Sequence, residues 1–273
     1  MTTEAAPRSR SFRLPPWAIG TIGGLALIAV WWIAALTVFT NPANDYRSVP
    51  TPAEVIGGYL DSGWGYYWNN FSVTLVEAGI GFVWGNALAL VLSALVLVVP
   101  RLEGVVSQLA IITYCVPIVA IGPLALIIIG PPDYGQPSGT AVFLAALSCF
   151  FTTVVGALLG LKAADKASLD VVHVYGGNRL TQLRKVRVIA ALPNILSALQ
   201  IAVPAAFLGA VLGEFFGKVE VGIGPAMIAA QQSLNAPRVW GLALASGAVA
   251  LAGFGLVGLV SRAVAPWSRG RAS

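Results

Sequence analysis

Six stretches of this chain run without a single Asp, Glu, Lys or Arg for at least the length of a bilayer crossing: residues 17–39, 78–99, 105–130, 140–161, 188–213 and 239–261. A helix needs about 20 apolar residues to cross the hydrocarbon core, where every backbone N–H and C=O has to be satisfied inside the segment. The six runs therefore predict an all-α integral membrane protein of six transmembrane helices. Composition agrees: 57% of the 273 residues are hydrophobic, 10% are charged and mean hydropathy is +0.82, too little polar surface for a water-soluble domain of this size. The first run is too long for the apolar core of a signal peptide and has no clear small-residue cleavage site after it, so it is expected to remain as a span.

The basic residues predict the orientation. With the N-terminus inside, thirteen Lys and Arg fall in cytoplasmic segments: Arg8, Arg10, Arg13, Arg101, Lys162, Lys166, Arg179, Arg184, Lys185, Arg187, Arg262, Arg269 and Arg271. Only Arg47, Lys218 and Arg238 fall outside. The positive-inside rule then puts both termini in the cytoplasm. The chain divides into a basic tail over residues 1–16, a transmembrane domain over 17–265 and a short tail over 266–273. The net charge of +5 belongs to the inside loops and implies no nucleic-acid partner. Cys115 and Cys149 both lie in apolar runs and read as small packed residues, without disulfide or metal.

The largest inside loop, residues 162–188, has more order than topology requires. Leu169, Val172 and Tyr175 recur at helical spacing, Gly176-Gly177 interrupts, and Leu180, Leu183 and Val186 resume before Pro193. Two short amphipathic helices joined at a glycine are expected. Their apolar stripe needs cover from a groove on a partner protein or from the membrane surface. The alternative is a loop whose charge serves topology alone.

In this loop, Asp170 to Gly176 followed by Leu192-Pro193 resembles the E-A-A-x-x-x-G…L-P signature of membrane subunits of binding-protein-dependent ATP-binding-cassette (ABC) importers of the type I fold. "VPTPAEV" (49–55), "GIGFVWGNAL" (79–88), "GLKAAD" (160–165) and "GEFFGKVEVGIGPAMI" (213–228) resemble further segments of that family, nearest its nitrate, sulfonate and taurine branch. The resemblance implies a permease of the bacterial inner membrane, multi-pass, with residues 162–188 as a cytoplasmic coupling loop between the fourth and fifth spans. It implies a second permease subunit, self or paralogue, two cytoplasmic ATPase subunits that bind the ATP, and an extracytoplasmic binding protein that delivers a small solute. Asp170, His173, Gly176, Gly177, Arg179, Leu183, Arg184 and Pro193 become the candidates for ATPase coupling. Glu54 and Glu214 become candidates for contact with the binding protein. Asp170, Val171, Val172 and Ile189 depart from the family pattern, and Glu77 stands where the branch usually carries Arg.

Polar residues within the runs, Asn86, Tyr114, Thr152 and Gln200 among them, are candidates to line the pathway or to bond between helices, since lipid offers them no partner. No charge lies deep in a run, which argues against a proton relay and against the second reading, a secondary transporter working without an ATPase. A non-transporting membrane scaffold is the third reading. His173 has no second His with which to form a metal site. "GFGLVG" (253–258) satisfies a dinucleotide fingerprint inside an apolar run and is read as helix packing, as is "GALLG" (156–160). With no phosphate-binding loop and no nucleophile–base pair, the chain is expected to be neither an enzyme nor a binder of a cofactor.

Overall fold

The computed structural model describes residues 15–38, 48–133 and 136–267. The described residues form ten α-helices and no strand: α1 (Pro16–Thr37), α2 (Pro52–Val98), α3 (Glu103–Cys115), α4 (Ile118–Ile129), α5 (Gly139–Lys162), α6 (Lys166–Val174), α7 (Arg179–Gln182), α8 (Val188–Phe216), α9 (Ile223–Gln232) and α10 (Ala236–Val264). A π-turn at Leu183–Arg187 joins α7 to α8. Most of the two tails, with Arg8, Arg10, Arg13, Arg269 and Arg271, lies outside the described residues, as does Arg47.

Five of the six runs appear within helices long and apolar enough to cross a membrane: α1, α2, α5, α8 and α10. The third, residues 105–130, is bent. It is split into α3 and α4, which meet at 98°. Pro117 supplies the cause, because it has no N–H to give the ladder and forces Val116 into an extended conformation (φ −72°, ψ 125°). The two pieces, 13 and 12 residues, are each under about 20 Å long, so neither crosses alone. Pro123 is carried inside α4 and Pro193 and Pro204 inside α8, whereas Pro117 stands at the break.

The 47 residues of α2 would extend about 70 Å, far more than a bilayer. Gly63 divides them with φ 72° and ψ 159°, giving a short arm and a long spanning part. A capping box starts the arm: Thr51 Oγ1 accepts from Glu54 N at 3.3 Å and Glu54 Oε2 accepts from Thr51 N at 2.7 Å. Tyr59 ties the arm to α10 by donating its hydroxyl to the Gly241 carbonyl at 2.6 Å.

α5 lies between α2 and α8, and both seams are made by small residues that bring backbones together. On α5, a Cβ added to Gly160 would stand 2.9 Å from the Ala191 carbonyl oxygen of α8, and Gly156 faces the Ala198 methyl, so the expected packing role of "GALLG" is borne out. "GFGLVG" is likewise within α10, where Gly253 faces Val203 and Gly258 faces Gln200. Glycines 81 and 85 of α2 face Ala145 and Ala146 of α5 in the same way. Aromatic packing adds to this, with Phe71 and Phe207 stacked at 6.4 Å. α1 touches the rest lightly, through Trp31 Nε1 to the Pro50 carbonyl at 3.1 Å and a Trp31–Trp240 stack at 5.7 Å. Leu25 and Leu27 of α1 and Leu251 and Leu256 of α10 remain exposed, a surface suited to lipid or another protein.

Candidate functional site

At one end of the bundle the C-termini of α2 and α5 meet the N-termini of α3 and α8, and the segment 162–188 closes over them. The expected pair of short helices is present. Asp165 caps α6 by accepting from Ser168 N at 3.2 Å, and Asn178 caps α7 by accepting from Thr181 N at 3.0 Å. Between them Gly176 N donates to the His173 carbonyl at 2.9 Å and Gly177 N to the Val172 carbonyl at 2.8 Å, the paired bonds of a Schellman cap. That cap needs a left-handed residue, and Gly176 has φ +76°. Gly177 has a different reason to be glycine: a Cβ there would stand 2.7 Å from the Val172 carbonyl oxygen.

The expected docking stripe of Leu169, Val172 and Tyr175 is corrected by how the two helices fold together. Leu169 and Val172 turn partly inward, the first beneath a bond from Gln182 Nε2 to its carbonyl at 3.2 Å. The row left in solvent is Val171, Val174 and Tyr175, the last two 81% and 87% exposed. Asp170, His173, Gly176, Arg179 and Arg184 are also exposed around it. Two further coupling candidates do not present to a partner. Leu183 is buried with Leu161 and Ala191 at the loop's base, and Pro193 is half-buried within α8, its carbonyl accepting from Ser197 Oγ at 2.9 Å. The loop is tied to the bundle by charge as well: Lys162 pairs with Glu103 at 2.5 Å, and Arg187 donates to the Leu161 carbonyl near the end of α5 at 3.3 Å.

At the other end, Glu214 is 2% exposed, so the expectation that it meets a partner is corrected. Its Oε2 accepts from Gly224 N at 2.6 Å and its Oε1 from the Thr74 hydroxyl at 2.5 Å. Thr74 Oγ1 in turn accepts from Ile223 N at 3.1 Å, and Asn70 Oδ1 from Gly222 N at 3.2 Å. Three successive N–H groups opening α9 thus find acceptors on α2 and α8. Gly222, with φ +153°, leaves room for the carboxylate, since a Cβ there would meet it at 2.6 Å. Glu77, wholly buried beside this knot, accepts from Ser138 N at 2.6 Å. Glu77 and Glu214 flank the charge-free runs of residues 78–99 and 188–213, so no charge lies within a run, yet packing buries both carboxylates. Glu54, the other proposed partner contact, is engaged in the capping box of α2.

The four pathway candidates are not gathered into one cavity. Asn86 is buried and accepts from Thr153 Oγ1, a bond between α2 and α5 that packs helices. Tyr114 is exposed and stacks on Phe151 at 4.5 Å. Thr152 is half-buried on α5. Gln200 lines an open groove of about 550 Å³ between α8 and α10, together with Gly258 and Arg262.

Residues 81–267 match the family model of the binding-protein-dependent transport system inner membrane component. The chain belongs to that family. The permease is 27% identical over 268 residues to a riboflavin transport system permease protein of Chloroflexus aurantiacus, which covers 97% of this chain and 96% of the relative. It is 24% identical to a formylaminopyrimidine transport permease protein of Halalkalibacterium halodurans, over 91% of this chain and 95% of the relative. To a putative aliphatic sulfonates transport permease protein of Bacillus subtilis it is 25% identical, over 82% and 78%. It is thus a multi-pass membrane component of a transport system. Reading the permease's sequence missed α9 and the Glu77–Glu214 knot. The Thr51-x-x-Glu54 capping box was a readable helix start; for the knot no local signal exists, because its partners lie far away in sequence.

Proposed function

We propose that this permease forms, with a second permease subunit, the translocation path of an ABC importer, and that two cytoplasmic ATPase subunits dock on the loop of residues 162–188. The observation that carries this reading is the solvent-exposed row of Val171, Val174 and Tyr175, closed by the Schellman cap, in a loop that also exposes Arg179, Arg184 and Lys185. A short helix that leaves its large apolar side chains in water while turning others inward is built to be covered. ATP is bound by the partners, and an extracytoplasmic binding protein supplies the solute. The relatives' names support a small organic metabolite or sulfonate as that solute.

The test is the double substitution Val174→Ser with Tyr175→Ser. Both side chains project from the loop, so the permease should fold and insert normally. Burial of each is worth about 1.5–3 kcal/mol, so losing both should weaken ATPase association roughly a hundredfold or more. Unchanged co-purification of the ATPase and unchanged uptake would overturn the docking assignment.

The proposed topology has both termini and the loop in the cytoplasm. In a background with the exposed Cys115 replaced by Ser, single cysteines at Asp61 and Gln136 should react with an impermeant thiol reagent in intact cells, and one at Ala167 should not. Labelling at Ala167 alone would invert the protein.

A further inference from the structure

At the loop end of the bundle a cleft of about 280 Å³ opens where the end of α2 and the start of α3 meet the end of α5, α7 and the π-turn. Its charged walls are Lys162, Arg179, Arg187 and Glu103, three cations against one carboxylate. Glu103 is taken by Lys162, so neither guanidinium has a counter-charge in the cleft. Arg187 donates once, from Nη1 to the Leu161 carbonyl at 3.3 Å, and Arg179 makes no hydrogen bond or ion pair among the described residues. A guanidinium carries five N–H donors in a flat fork that matches phosphate oxygens in pairs, so most of the donor capacity here is unused.

The apolar wall fixes the depth of the cleft. Leu97 and Pro100 stand at the end of the charge-free run of residues 78–99, on a helix long enough to cross a membrane, and Val98, Val99 and Val105 next to them in the chain are exposed. Cations at that level face the headgroup layer, while the exposed valines face the acyl chains. The cleft is smaller than the roughly 300–1,000 Å³ that holds a drug-sized molecule and suits a single headgroup. We propose that it binds the phosphate of an anionic membrane lipid. Arg179 and Arg187 donate to the phosphate oxygens, and Lys162 adds a third cation. The bound lipid joins α7 and the π-turn to the ends of α2 and α5, so that the loop is seated more firmly in an anionic membrane. Val171, Val174 and Tyr175 do not line the cleft, so the assignment goes beyond ATPase docking and does not rest on it. Inorganic phosphate in solution offers the same oxygens without acyl chains, and the test separates the two sources.

The experiment uses the full-length permease in a neutral detergent, titrated with phosphatidylglycerol, with phosphatidylcholine or with inorganic phosphate. Native mass spectrometry counts the lipid retained, and the thermal midpoint is followed in parallel. A single phosphatidylglycerol is expected to be retained and to raise the midpoint; phosphatidylcholine, whose choline cancels the phosphate charge, is not. Arg179→Gln removes a cation on which no bond in the fold depends, and phosphatidylglycerol binding should weaken roughly fivefold, the worth of one basic side chain at an anionic surface. Removing Arg187 as well, by Arg187→Gln, should bring the loss to at least about tenfold. Arg101, exposed on the short helical turn Pro100–Leu102, does not line the cleft, so Arg101→Gln should leave binding unchanged. Equal retention of the two lipids overturns the proposal, and so does unchanged binding in Arg179→Gln. An equal loss in Arg101→Gln overturns it in favour of diffuse attraction to the whole basic end. A midpoint raised as far by inorganic phosphate as by phosphatidylglycerol, with that rise reduced in Arg179→Gln, keeps the phosphate site and overturns the lipid as its source.

Discussion

Gly176→Val is expected to leave a permease that inserts and folds but loses most uptake. In the protein by itself a Cβ at 176 meets nothing within 4 Å, so the penalty there is conformational. At φ +76° a β-branched residue is strained by about 1–2 kcal/mol or more, and relieving it opens the two bonds from Gly176 and Gly177 that end α6. α6 has only nine residues, so without its cap the Val174 and Tyr175 side chains no longer hold one position. Uptake should fall at least about tenfold, the consequence of some 1.4 kcal/mol lost from docking. Gly176→Asn separates two causes, because Asn tolerates the left-handed region. Recovery with Asn assigns the defect to the cap, and failure of Asn as well means that partner backbone closes on this position. Full uptake by Gly176→Val would sink the coupling role of the loop.

Gly160→Leu is expected to do more damage, at the level of the fold. A side chain at 160 meets the Ala191 carbonyl oxygen and the Asn194 Cβ, both at 2.9 Å, and backbone cannot yield as a flexible side-chain tip can. Overpacking a tight contact costs about 1–3 kcal/mol when neighbours can adjust and more when α5 and α8 have to part, within a total stability of about 5–15 kcal/mol. Loss of monodisperse protein on gel filtration is the expected outcome. Gly79→Leu is the matched control, since a Cβ at that position has open space and the residue is exposed. Equal yields from the two would show that the α5–α8 seam accommodates bulk.

These sites differ in how far the sequence exposed them. Spans were legible because lipid forbids charge over a fixed length, and that constraint is local. The glycine junction of the loop was legible for the same reason: a cap needs only neighbouring residues. The outward row was not. With apolar side chains at 169, 171, 172 and 174, a nine-residue helix offers two adjacent rows, and contact with Gln182 and the following turn decides which one goes inward. The carboxyl knot was even less accessible, since Ser138 is 61 residues from Glu77 and Glu214 is 140 from Thr74. Each carboxylate was visible only as the residue flanking an apolar run, and only tertiary packing shows that it is interior. The break at Pro117 was half legible: proline marks a place where bending is permitted, and does not say that α3 and α4 will turn by 98°.

The seam between α5 and α8 has a mechanical consequence. Contacts through long side chains are compliant, because rotamers can shift before backbones do; where methyls and carbonyls of one helix rest directly on the glycines of another, that slack is absent. Arg187 joins the start of α8 to the end of α5, and Lys162 joins α5 to α3, so a load applied at Val174 and Tyr175 enters three helices together. Such a load would be transmitted along the bundle as displacement of a stiff unit, with little dissipated in local rearrangement. Gly63 within α2 and the Val116–Pro117 corner between α3 and α4, where helices are interrupted, lie outside that seam.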